Sequence, residues 1–247
     1  MILQVKDLTV RFDGLIAVNK LSFDVKPCTI HGLIGPNGAG KTTVFNSIFK
    51  LVPYNGHLIY KNIDMGKYPT HSLVNMGISR TFQNLSIFYS MTVKENILVG
   101  LHSKKSSNLI KDTLGFPIDT EKELLEVSEL LNILPYLNVY AMFLPYGVLK
   151  MVELARALIS KPQLILLDEP GAGLNSAEKE RLKEIIKRIK EMGISVLMVE
   201  HDMGIIMDIS DEITVMNFGE KISAGTPEMV SHDLKVIEAY LGEEIRA

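Results

Sequence analysis

The chain has 247 residues, 47% of them apolar, enough for a sizeable core in one large domain or in one domain with a smaller insertion. A net charge of -3 and a pI near 6.1 give no electrostatic footprint for nucleic acid or an anionic membrane surface. The single cysteine, Cys28, excludes an internal disulfide and a cysteine-rich zinc site.

The first residues, MILQVKDLTV, hold no apolar segment long enough for a signal peptide. Apolar runs elsewhere are short, such as Leu164 to Leu167, far from the roughly 20 residues of a membrane span. A soluble, cytoplasmic protein is expected, one that serves a membrane only by binding something embedded in it. Residues 2–34 read as strands separated by turns, with partial alternation in VKDLTVRF and LSFDV and a turn signal at Asp13-Gly14. IHGLIG then runs into GPNGAGKTT, and a helix follows over TTVFNSIFKL, closed by Pro53 and the turn Asn55-Gly56. Next come a strand over GHLIYKNID, a short helix around Ser72 to Met76 and a strand over GISRTFQ.

From about Asn84 to Leu158 the pattern turns helical. Thr92-x-x-Glu95 is a capping-box signature, Lys104 to Asn108 mark a loop, and EKELLEVSELLNIL is a long amphipathic helix. In FLPYGVLKMVELARAL, Met151, Leu154, Ala155 and Leu158 form a helical apolar stripe. No strand-like run interrupts this block, so 84–158 is expected to be a helical subdomain inserted into a single α/β domain spanning 1–247. After it, QLILLDE reads as a buried parallel strand, because it is apolar throughout rather than alternating. A helix from Asn175 to Met192 puts Leu182, Ile185, Ile186 and Ile189 on one face. SVLMVE is a second buried strand, EITVMNF and GEKISAG a hairpin around Asn217 to Gly219, and SHDLKVIEAYL a final helix.

The chemistry is concentrated at strand ends. Gly35, Pro36, Asn37, Gly38, Ala39, Gly40, Lys41 and Thr42 match G-x-x-x-x-G-K-[ST], between a predicted strand and the helix predicted over TTVFNSIFKL, and together with Thr43 are the expected nucleotide-binding residues. Glycines there let the backbone wrap a phosphate and aim its N–H groups inward. Lys41 supplies charge for the β/γ-phosphates, and the Thr42 hydroxyl can ligate Mg²⁺. A chance glycine turn is the competing reading. Asp168 and Glu169 end an apolar strand, where an open α/β sheet binds its ligand. Asp168 would face Mg²⁺ and Glu169 would polarise a water; solvated acids at a strand end are the bland alternative. His201, after the strand VLMVE, would reach the γ-phosphate from a neighbouring strand end. Gln83 ends GISRTFQ and can contact both Mg²⁺ and water. Phe12 either stacks on adenine or fills the core. Pro145, Tyr146 and Gly147 precede a helix N-terminus near Val148, and form either a stiff turn or an anion site.

In this order, Phe12, Gly35 to Thr42, Gln83, Leu144 to Val148, Asp168-Glu169, Gly173-Leu174-Asn175 and His201, the chain resembles an ATP-binding subunit of an ABC transporter over essentially its whole length. The resemblance implies a P-loop NTPase cassette: a mixed core sheet, an antiparallel β subdomain and the inserted helical subdomain. It implies ATP and Mg²⁺, and a head-to-tail homo- or heterodimer with a second ATPase. Each ATP then lies between one subunit's P-loop and the other's signature segment, Leu-Ser-Gly-Gly-Gln. Here that segment reads Leu144, Pro145, Tyr146, Gly147, Val148 and lacks the serine, the first glycine and the glutamine. GISRTFQNLSIFYSMTVKENILVGLH and KVIEAYLGEE are similar to the ATPases of branched-chain amino-acid importers. That implies two membrane permeases, a solute-binding protein acting indirectly, and a place on the inner face of the cell membrane. An ATPase of a urea or other small-solute importer is the near alternative. A soluble ABC ATPase acting on DNA or ribosomes, or a non-hydrolysing binding subunit, fits less well: there is one cassette, no basic patch, and both Glu169 and His201 are present.

Overall fold

The computed structural model describes residues 1–83, 85–104 and 118–244. Asn84, where the helical block is expected to begin, and most of the loop expected at Lys104 to Asn108 lie outside the described residues. The first half of the chain runs β1 (Leu3–Phe12), β2 (Leu15–Val25), β3 (Ile30–Ile34), α1 (Lys41–Ile48), β4 (Asn55–Tyr60), β5 (Ile63–Asp64), α2 (Ser72–Asn75), β6 (Ile78–Arg80) and α3 (Val93–Leu98). The second half runs α4 (Ile118–Leu130), α5 (Tyr146–Leu158), β7 (Leu164–Asp168), α6 (Ser176–Glu191), β8 (Ser195–Val199), α7 (Met203–Ile209), β9 (Glu212–Asn217), β10 (Glu220–Gly225), α8 (Pro227–Ser231) and α9 (Leu234–Glu244).

Two sheets result. An antiparallel one has the order β2-β1-β4-β5, and a six-stranded one has the order β10-β9-β3-β8-β7-β6. In the second, β9, β3, β8, β7 and β6 run parallel and β10 returns as an antiparallel hairpin on β9. Every residue of β3, β7 and β8 is buried, as expected for a parallel sheet covered on both faces. Alternation along the strands divides the core. Leu164, Leu166, Leu197 and Val199 face α1 and the antiparallel sheet, while Ile165, Leu167, Val196 and Met198 face the helices. Each such side chain stabilises the fold by about 1.5–3 kcal/mol. Between β6 and β7 the described residues form only helices and turns, apart from an isolated bridge between Thr92 and Tyr140. The buried residues of α3, α4 and α5 share one apolar cluster with the parallel sheet.

Local chemistry sets several boundaries. The capping boxes form at Thr92–Glu95 on α3 and at Asn175–Glu178 on α6. The strand expected over GHLIYKNID is two, β4 and β5, because Lys61 and Asn62 take positive φ (47° and 64°) in a hairpin turn. The expected final helix is α9, which starts at Leu234, and a short helix not expected, α8, precedes it. Thr226 caps α8, and the Asp233 side chain accepts from Lys235 N–H to open α9. Sequence periodicity misses α7, whose cap Asp202 lies directly after His201.

Candidate functional site

The loop from β3 to α1 is held close to two other strands. A Cβ at Gly35 (φ 151°) would overlap the Met216 carbonyl oxygen, and one at Gly40 (φ 101°) would lie 2.6 Å from the Ala17 oxygen. Gly40 is also the N-cap of α1 and gives its first N–H groups no side-chain partner. Such a helix start favours an anion. Lys41 is 5% exposed, and its ammonium donates to the Gly35 and Pro36 carbonyls at 2.6 and 2.9 Å.

A cleft of about 450 Å³ opens over this loop. Asn37 to Thr43 line it together with Gln83, Glu169 and His201, and Leu15, Ile16, Ala17 and Phe218 complete it. Glu169 is the meeting point. His201 Nε2 lies 2.7 Å from Glu169 Oε1, and the Gln83 amide donates to Oε2 at 3.0 Å. Glu169 has φ 49°, a left-handed conformation that costs a non-glycine residue free energy unless its surroundings fix it. They do: Glu169 N–H donates to Val199 O (2.9 Å), and Glu169 O accepts from Ala172 N–H (3.2 Å) and from the Lys150 ammonium (3.1 Å). The adjoining Glu200, buried at the end of β8, accepts from the N–H groups of Gly171, His201 and Asp202, which ties the two strand ends together.

Gln83 lies in the loop beyond β6, not on the strand. The ladder to β7 gives out after Thr81 N–H donates to Leu166 O at 2.9 Å, because Asp168 N–H is taken by the Thr81 hydroxyl at 3.3 Å; the outward-facing Phe82 N–H is held by the Glu153 carboxylate of α5 at 3.3 Å. Asp168 is 1% exposed and does not line the cleft; its Oδ2 accepts from Arg80 Nη2 at 2.7 Å, while Oδ1 is buried without a hydrogen-bond partner. Burial pushes the Asp168 pKa up, against the opposing hydrogen bond and charge of Arg80. Arg80 in turn donates to Asn46 Oδ1 at 2.9 Å and sits over the rings of Phe45, Phe49 and Phe82.

Phe12 ends β1, is 42% exposed and does not line the cleft. Gly35 and Pro36 support the loop from below without lining it. Leu144 to Val148 stand apart as well. Helix α5 begins at Tyr146, not near Val148, because Pro145 takes the N-cap and the Val148 and Leu149 N–H groups both return to its carbonyl at 3.0 and 3.1 Å. Tyr146 packs on Gly173 (φ 78°), where a Cβ would lie 2.8 Å from the ring, and Gly147 packs on the Glu178 carboxylate. Sequence reasoning misses Ile16, Phe218, Arg80, Lys150, Glu153 and Glu200. Phe218, an aromatic in a hairpin turn with 78% exposure, carries a readable signal; the others look like ordinary strand or helix residues.

Residues 18–172 match the family described as ABC transporter, and residues 220–246 match the branched-chain amino acid ATP-binding cassette transporter family. The high-affinity branched-chain amino acid transport ATP-binding protein BraF of Pseudomonas aeruginosa is 40% identical, over 98% of each chain. LivG of Escherichia coli, of the same description, is 38% identical over 98% of each chain. Among solved structures, the ADP conformation of an ATP-binding cassette of an ABC transporter superposes with a TM-score of 0.87 at 29% identity, covering 98% of each chain. With a nucleotide cleft of this construction and relatives matched nearly end to end, the chain belongs to the ABC transporter family, as one of its ATP-binding and ATP-hydrolysing subunits.

Proposed function

We propose that this ATPase powers the import of branched-chain amino acids, and that Glu169 directs the water that attacks ATP. The observation that carries the reading is Glu169 itself, held in a strained conformation between His201 and Gln83 in the same cleft as Gly38 to Thr43. A carboxylate fixed at both oxygens is oriented before the substrate arrives, which is how a general base or water-positioning group gains its effect. Lys41 and the N-terminus of α1 receive the phosphates, and His201 and Gln83 respond to the γ-phosphate. Adenine rests on apolar surface near the cleft, with Phe12 and Ile16 as the nearest candidates from β1 and β2. Thr42, Gln83 and Asp168 fit Mg²⁺: Asp168 Oδ1 is a buried carboxylate oxygen with no hydrogen-bond partner, the kind of atom that a cation completes. Held by these residues, Mg²⁺ would supply positive charge to offset that of the phosphates.

The match at residues 220–246 and the relatives BraF and LivG support the substrate. The same reading gives a head-to-tail dimer in which Leu144, Pro145, Tyr146, Gly147 and Val148 face the partner's ATP. Residues 84–158 serve as the helical subdomain that passes the motion to two permeases. Among the described residues no helix is long and apolar enough to cross a membrane, so the chain would reach the inner face of the membrane through those permeases. The test is reconstitution of the ATPase dimer with two permease subunits and a solute-binding protein. Leucine, isoleucine and valine should be taken up and should stimulate phosphate release. Stimulation by urea and by none of the three would replace the substrate while leaving the ATPase reading intact.

A further inference from the structure

Helix α5 buries two full charges one turn apart. Lys150 is 5% exposed and Glu153 3% exposed, among neighbours that are mostly apolar. Leucine at either position would be easier to bury, since a charge withdrawn from water costs stability unless its partners are well placed. Both have such partners, and both partners lie on segments that carry site residues. The Lys150 ammonium donates to the carbonyl oxygen of Glu169 at 3.1 Å and lies 5.8 Å from the centre of the Tyr146 ring. The Glu153 carboxylate accepts from Phe82 N–H at 3.3 Å and from the Ser86 backbone, with Arg156 at 4.0 Å. Phe82 and Ser86 bracket Gln83, and Gln83 donates to Glu169. One helix therefore grips both ends of the Gln83–Glu169 hydrogen bond. The N-terminal turn of that helix is Tyr146 to Val148, with Tyr146 packed on Gly173.

We infer that Lys150 and Glu153 are positioning residues that tie α5 to the two segments bearing Glu169 and Gln83. Lys150 fixes the left-handed turn at Glu169 through its carbonyl, and Glu153 fixes the loop that presents Gln83. A displacement of α5, for example when its N-terminus meets the opposing nucleotide, is passed to this chain's own carboxylate through these bonds. The inference rests on the reading of Glu169 as the water-directing group.

The experiment compares Lys150→Met, Lys150→Arg, Glu153→Gln, Glu169→Gln and the double variant Lys150→Met/Glu169→Gln, each in the full-length chain assembled with its partners. Lys150→Met should lower kcat about 10- to 100-fold with KM changed less than about twofold, the pattern of a lost transition-state arrangement. Lys150→Arg should recover most of that rate. The double variant should be no slower than Glu169→Gln alone, because residues acting through one group are not additive. In the nucleotide-free subunit, hydrogen exchange at residues 169–172 should quicken in Lys150→Met, and exchange at residues 82–86 should quicken in Glu153→Gln, each without spreading to β3 or β8. Wild-type kcat in Lys150→Met, or a double variant slowed by the product of the single losses, overturns the inference. If Lys150→Met does not fold, Lys150→Arg and Glu153→Gln decide by the same exchange measurement, and unchanged exchange in Glu153→Gln counts against it. Normal turnover in Glu169→Gln would instead remove the reading of Glu169, and exchange alone would then decide whether Lys150 holds its segment.

Discussion

The N-termini of α1 and α5 are built alike in one respect and unlike in every other. Neither has a side-chain cap: Gly40 stands at the first and Pro145 at the second. By contrast α3, α6, α7 and α8 are capped by Thr92, Asn175, Asp202 and Thr226. A cap is worth about 1 kcal/mol, so leaving it out forgoes stability and keeps N–H groups available for an anion. The likeness ends there. The start of α1 is flanked by glycines at positive φ, by Lys41 and by the Glu169–His201–Gln83 cluster. The start of α5 offers Tyr146, Gly147 and Val148, with the Val148 N–H already returned to Pro145. In the proposed dimer this chain would hold most of its own site and lend little to the opposing one.

Variants at the α1 cleft should therefore have the larger effects. Glu169→Gln is expected to slow hydrolysis by about 10²–10⁴-fold in the assembled transporter and leave ATP binding intact. Phosphate release and a filter-binding assay on one preparation separate the two quantities. Unchanged turnover would take Glu169 out of the mechanism. Lys41→Ala should come next. It removes a charge that donates to loop carbonyls and stands ready for phosphate, at about 1.5–3 kcal/mol for a hydrogen bond to a charged group, or roughly 10- to 100-fold in affinity. Calorimetry with ATP reads it, and a loss below threefold would mean that the helix N-terminus alone binds the phosphates.

The α1 half was also the more legible in the sequence. A phosphate loop depends on backbone shape, and backbone shape is written in glycines at fixed spacing. Glu169 and His201 follow because parallel strands end where ligands bind, whereas Asp168 ends the same strand but is buried against Arg80 outside the cleft lining. Arg80, Lys150 and Glu153 were not legible, because a charged residue looks the same in sequence whether its head is solvated or buried against a carbonyl. The stripe of Met151, Leu154, Ala155 and Leu158 suggested one apolar face on α5, whereas the helix is buried around most of its circumference. Gln83 was placed on a strand because periodicity cannot show a ladder ended by a side chain, here the Thr81 hydroxyl that takes Asp168 N–H. The short helices α7 and α8 escaped notice because they span too few residues for a period to register.

Phe12 offers a smaller test of how complete the cleft is. Its ring is half-exposed and outside the cleft lining, while Ile16 lines it. Stacking on a base is worth about 1–3 kcal/mol, and an aromatic at the rim should fall at the low end, near fivefold in ATP affinity for Phe12→Ala. ATP and GTP should lose equally, since stacking reads a π face and not a hydrogen-bonding edge. Wild-type affinity in Phe12→Ala together with a loss in Ile16→Ala would move the base onto Ile16.

The smallest effect belongs to the α5 N-terminus, and it tests the comparison most directly. Pro145 has neither a hydroxyl nor an N–H, and Val148 has no polar side chain. What remains for an opposing phosphate is the backbone around Tyr146 and Gly147 and the positive end of α5, worth about 0.3–1 kcal/mol. A serine hydroxyl at position 145 would add one hydrogen bond at the weak end of the range, about 0.5 kcal/mol. Pro145→Ser should therefore raise turnover about two- to threefold, whether the native pair is a homodimer or a heterodimer. It should also stabilise α5, because serine is a good N-cap, so a melting curve belongs beside the rate. Where the native partner is a different ATPase, the two sites should be unequal. The site on this chain's phosphate loop is completed by the partner and should carry more of the turnover, so Glu169→Gln should cost more activity than the matching change in the partner. Equal losses from the two changes, with no gain from Pro145→Ser, would mean that Leu144 to Val148 serve the opposing nucleotide as well as a serine-bearing segment does. The contrast between the two helix starts would then be one of sequence and not of function.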